Sequence, residues 1–104
     1  MPQAYVVTEP SSVITEVNRA AAQLFNVSQR FLVGKAMSVF VCEDRTGFLS
    51  EISRLSTDGR SGELSFKLRP RERAPLDVIA TVGADLTGLR WVLRPAIAAD
   101  AVRH

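Results

Sequence analysis

The side chains able to do chemistry in this 104-residue chain are few and scattered. Cys42 is the only cysteine and His104, the last residue, the only histidine. A thiol without a partner forms no internal disulfide, and it suits a reducing compartment. Redox sensing requires an exposed, electropositive setting, yet Cys42 stands in Val41-Cys42-Glu43-Asp44, beside two acids. It reads as a small, partly buried filler. Asp and Glu are dispersed with no acid–base pair, no Gly-rich phosphate loop is present, and no histidine accompanies a nucleophile. The expectation is a protein that is not an enzyme.

Two further features invite a binding role. Lys67, Arg69, Arg71 and Arg73 crowd one stretch, as phosphate contacts do. Leu64, Phe66 and Leu68 alternate with the start of that run, however, and no aromatic platform or recognition helix accompanies it. It therefore reads as the solvated face and turn of a hairpin, with no direct nucleic-acid partner. Trp91 offers a flat face for a planar ring, and equally a large block of core.

The elements that would position these groups follow from periodicity. AYVVT (4–8) and VITEV (13–17) read as strands joined by the turn Glu9-Pro10-Ser11-Ser12, hence an antiparallel hairpin. Asn18 is placed to cap a short helix over Ala20–Phe25, and Asn26 to stop it. Ser28 caps another short turn, and Gly34 breaks the chain again. In 43–59, Asp44 serves as N-cap of the longest helix or as a first-turn acid favouring its dipole, and Phe48, Leu49, Ile52 and Leu55 form its apolar stripe before Gly59 ends it. Gly47 inside that stripe weakens the pattern.

Beyond residue 61 the period falls to two. Leu64, Phe66 and Leu68 share one strand face; Leu76, Val78, Ala80 and Val82 share the next. Leu89, Trp91 and Leu93 share the last, with Arg90 and Arg94 opposite. Such alternation marks an antiparallel sheet with one face on the core. The segments RPRERAP and GADLTG supply the turns. The expected class is α+β: a five-stranded antiparallel sheet with short helices and one longer helix covering one face.

With 46% apolar and 23% charged residues, the composition is that of one ordinary globular domain. No apolar run approaches the roughly 18 residues of a membrane span. MPQAYVVTEP lacks the basic-then-apolar order of a signal peptide. These readings predict a cytoplasmic protein with no membrane partner.

The order of elements, with these punctuating residues, resembles the PAS family. TEPSSVITEVN (8–18) is similar to the family's acidic residue, Pro, turn, Ile and Val-Asn. AAAQLFNVSQRFLVGK (20–35) continues it, and VFVCEDRTGF (39–48) resembles the segment where Asp-Arg opens the long helix. There are departures. Arg69-Pro70-Arg71-Glu72-Arg73 replaces the family's Asp-Gly turn, and Leu93-Arg94-Pro95 replaces the Asp-Ile-Thr that links the sheet to an output helix.

The resemblance implies a PAS-like domain over 1–95, with 96–104 a tail or the start of an output helix. It implies a sensor in a larger kinase, cyclase or transcription regulator, working in signal transduction. A small apolar or planar ligand would lie between sheet and helices, against Val7, Ile14, Leu24, Phe48, Ile52, Phe66, Val78 and Trp91. Each of these also reads as plain core. The alternative is a ligand-free dimerisation or protein-interaction module, a homodimer or a platform for an attached output domain. The cofactor is left open. Haem held through histidine is disfavoured because His104 lies outside the sheet-and-helix region. Met37 reads as core filler rather than a haem ligand. Cysteinyl-flavin photosensing is disfavoured because Cys42 is not in the Asn-Cys-Arg-Phe-Leu helix of such sensors.

Overall fold

The computed structural model describes residues 3–59, 61–85 and 88–96. Strands β1 (Ala4–Thr8) and β2 (Ile14–Val17) open the chain. Helices α1 (Arg19–Phe25) and α2 (Gln29–Leu32), a 3-10 turn (Met37–Phe40) and helix α3 (Arg45–Asp58) follow. Strands β3 (Ser61–Leu68), β4 (Leu76–Asp85) and β5 (Gly88–Pro95) close it. All pairings are antiparallel, in the order β2-β1-β5-β4-β3. The first and last strands in sequence are therefore neighbours, with Ala4 opposite Leu93 and Val6 opposite Trp91.

The two asparagines of α1 act where their side chains predict. The Asn18 side-chain oxygen accepts from the Ala21 amide at 2.9 Å, and also from the Tyr5 amide at 3.0 Å. Its amide group donates to the Gln3 carbonyl at 2.8 Å. One residue thus starts α1 and fastens it to β1. Asn26 ends α1 in the left-handed region (φ 59°), as Asn tolerates. Ser28 precedes α2, but its side chain makes no capping bond; its carbonyl accepts from Phe31 and Leu32 instead.

Helix α3 starts at Asp44, whose carboxylate accepts from the Gly47 amide at 3.2 Å, and stops at left-handed Gly59. The same carboxylate explains Gly47: a Cβ there would collide with it. Phe48, Ile52 and Leu55 face the sheet, 6%, 1% and 2% exposed. Leu49, placed in the stripe by spacing, is instead 40% exposed, since one residue's step turns a side chain about 100° away.

The inner face of the sheet carries Val6, Thr8, Leu64, Leu68, Val78, Ala80, Val82, Leu89, Trp91 and Leu93, all buried. The segment expected as the β4–β5 turn is mostly ladder: Gly83, Ala84 and Asp85 pair with Arg90, Leu89 and Gly88. The rest of that turn, with the tail 97–104 and His104, lies outside the described residues.

The basic stretch divides between strand and loop. Lys67 sits in β3 and meets Asp77 at 3.8 Å. Arg69, Arg71 and Arg73 are exposed on the β3–β4 loop, as the hairpin reading expects. That loop is tied to the helical layer. The Arg71 amide donates to the Phe25 carbonyl at 3.0 Å, and the Asn26 side chain donates to the Arg71 carbonyl at 2.8 Å.

Candidate functional site

The centre of the inner layer is aromatic. Phe48 of α3 stacks on Trp91 of β5, ring centroids 5.7 Å apart and planes 25° apart. Phe48 also meets Phe66 of β3 edge-on at 5.0 Å. Trp91 is fully buried, and its Nε1 donates to the Thr8 Oγ1 at 3.0 Å, which satisfies the indole's one polar atom. Val78 stands opposite Phe66 in the β3–β4 register.

Beside this cluster a groove of about 430 Å³ opens between the start of α3 and β3–β4. Phe48, Phe66, Val78 and Leu64 line it, and Glu43, Asp44 and Glu51 edge it on the α3 side. Its volume lies within the range of small-molecule sites. Glu51 bonds Arg54 at 2.9 and 3.2 Å, and this hydrogen bonding holds its carboxyl below the ordinary value.

A second groove, of about 560 Å³, opens at the other half of the sheet. It lies between α1, the ends of β1 and β5, and the β3–β4 loop, and Leu24 is part of its wall.

The structure therefore gathers some of the candidate ligand residues and disperses others. Phe48, Phe66 and Val78 share the first groove, and Trp91 touches it from below through Phe48. Ile52 is buried one turn further along α3. Ile14 is buried where β2 meets the 34–36 segment, bonded to the carbonyl of Lys35 and the amide of Gly34. Leu24 belongs to the second groove.

Val7 faces the other way. The burial of β1 alternates with Ala4, Val6 and Thr8 inward, and Val7 pairs with Arg90 on the outer face. It cannot line an inner cavity. Sequence reasoning missed Leu64 and Thr8. Leu64 shares the Phe66 face by simple alternation, whereas Thr8 carried no signal apart from strand parity.

Cys42 is half-buried, with its sulfur 3.5 Å from the Lys67 carbonyl. Met37 is fully buried in the core. Among the described residues, no group of three or more His, Cys, Asp or Glu side chains is arranged to hold a metal.

On the outer face, Arg90 Nε bonds Asp85 at 2.8 Å and its Nη1 bonds the Tyr5 hydroxyl at 2.7 Å. Those bonds, Asp85 first, raise the Arg90 pKa. Tyr5, Val7, Ile79 and Val92 form a half-buried apolar band around it. Among the described residues, no helix is long and apolar enough to cross a membrane.

No family model and no curated protein matches the sequence. Solved structures do match. The PAS domain of an HTR-like protein from Haloarcula marismortui superposes with a TM-score of 0.78 at 16% identity, over 91% of this chain and 82% of that one. This chain has the PAS fold. A domain of a sensory box sensor histidine kinase/response regulator from Geobacter sulfurreducens gives 0.76 at 12% identity, covering 88% and 82%. The PAS domain of the Cronobacter turicensis RpfR quorum-sensing receptor, solved in complex with BDSF, gives 0.74 at 9% identity, covering 94% and 95%. At such identities the likeness is one of fold, and function must be argued from sites. In this PAS fold, α3 and the inner face of β3, β4 and β5 enclose the aromatic cluster.

Proposed function

We propose that this chain is a non-catalytic sensory domain of a larger signalling protein, binding a small apolar or planar ligand over Phe48, Phe66 and Val78. One observation carries the reading: an open groove ends on an aromatic cluster that leads directly to the sheet's centre. A planar or apolar ligand gains from the aromatic faces at the groove's base, whereas an anionic one would meet the carboxylates of Glu43, Asp44 and Glu51 at its edge. The matching folds from a sensor kinase and a ligand-bound receptor support the same class. The domain spans 1–95 in this reading, with 96–104 a tail or the start of an output helix, in a cytoplasmic host.

Native mass spectrometry of freshly purified protein, with an absorption spectrum beside it, tests the proposal. A small mass retained by the wild type and lost in Phe66→Asp supports it. A bare protein mass, or a mass that Phe66→Asp retains, overturns it.

A second reading rests on the outer face. Tyr5 and Val92 are paired there, with Val7 and Ile79 nearby, in a half-buried band on the side away from α3. A second copy of the chain would cover that band. An empty dimer that Val92→Glu dissociates supports this reading over the first.

A further inference from the structure

The groove at the α1 half of the sheet has a different chemistry from the one over Phe48. Its floor is aliphatic: Ala4 and Leu93 from the sheet, Leu24 from α1, and Pro95. Arg73 and Arg94 stand among its lining residues, and among the described residues no carboxylate lines it. Arg73 arrives from the β3–β4 loop, which the Asn26–Arg71 and Arg71–Phe25 bonds hold against α1. Its own side chain makes no hydrogen bond or ion pair among the described residues. An exposed guanidinium is thus held beside an apolar trough by an anchored backbone.

We propose that this groove is a second ligand site, specific for a small amphipathic monoanion: a carboxylate carried on an apolar body. Each part of that ligand answers one feature. The aliphatic floor removes the body from water. The arginine donates two parallel N–H bonds to the carboxylate in a charge-assisted pair. An inorganic anion would leave the floor wet, a neutral body would leave the guanidinium unused, and a cation would meet the like charge of Arg73. The bound molecule would span Leu24 and Arg73, bracing α1 against the β3–β4 loop. The site is separate from the groove over Phe48, and neither reading requires the other.

Titrating the whole chain with octanoate, octanol and inorganic phosphate, observed by backbone amide NMR, tests this assignment. Octanoate is expected to saturate and to shift Ala20, Leu24 and Leu93. Arg73→Gln, on an exposed loop, and Gln23→Glu, on the exposed flank of α1, should each weaken octanoate about fivefold or more while preserving the spectrum of the fold. Octanol should bind at least fivefold more weakly. Equal binding of octanol, the same shifts from phosphate alone, or an affinity unmoved by Arg73→Gln overturns the proposal. Shifts confined to Phe48, Phe66 and Val78 also overturn it, while leaving the reading of the other groove intact.

Discussion

Helices α1 and α3 cover the same sheet face, but they are held there by different physics. Helix α1 is fastened by directional polar bonds. Asn18 ties its start to Tyr5 in β1 and to Gln3 just before that strand, and Asn26 ties its end to the β3–β4 loop. Helix α3 keeps its capping local, within Asp44–Gly47, and meets the sheet through Phe48, Ile52 and Leu55. Apolar packing is non-directional, so a helix held by it can shift against the sheet at lower cost than one pinned by directional hydrogen bonds. A ligand of the proposed kind would therefore move the α3 half more readily than the α1 half. The α1 half is the fixed reference.

That contrast can be broken at several points. The largest effect is expected for Trp91→Ala, which removes the ring beneath Phe48 and leaves the Thr8 hydroxyl without its donor. Urea denaturation should show a loss of about 4 kcal/mol; a loss below about 2 would mean that the aromatic cluster does not organise the α3 half. Next comes Asn18→Ala, which strips three bonds from the α1 half and should cost about 2 kcal/mol. Hydrogen exchange should then speed up in α1 and β1, with α3 unaffected. Equal acceleration in both helices would dissolve the distinction.

Gly47→Ala sharpens the comparison on the α3 side. In an ordinary exposed helix interior this change gains about 1 kcal/mol. Here the new Cβ would displace the Asp44 carboxylate from its cap, so stability should stay level or fall by up to about 1 kcal/mol. A full gain would show that the cap contributes nothing.

The smallest effect concerns Ser12, in the β1–β2 turn. It holds a positive φ of 79°, and its buried hydroxyl has no hydrogen-bond partner among the described residues. Ser12→Gly relieves both costs but adds chain entropy to the unfolded state, for a net gain of about 0.5 kcal/mol by thermal melting. Any destabilisation would imply that the hydroxyl is satisfied in solution.

The local grammar of the fold was legible in the residues. Asn18, Asn26, Asp44 and Gly59 mark helix ends because their side chains or backbone freedom suit those positions. Alternation around Phe66, Val78 and Trp91 gives the inner face of three strands correctly. Reading failed where the answer depends on distant partners. In Ala4–Thr8 both faces carry apolar residues, so parity within the strand does not say which of Val6 and Val7 is inward; the pairing of Val6 with Trp91 decides it. Leu24 looks equivalent to Phe48 in sequence, yet the strand order places α1 and α3 over different halves of the sheet. Gly83–Asp85 has turn composition but extends β4, because β5 offers it a ladder.

The central claim is that the inner layer over Phe48 and Trp91 admits a ligand. Trp91 is the chain's single tryptophan, so its emission reports on that place alone. The measurement is its spectrum in freshly purified protein, after stripping by unfolding, gel filtration and refolding, and after the small-molecule extract is returned. The account predicts a shift on stripping that the extract reverses. A spectrum that neither step alters would contradict it.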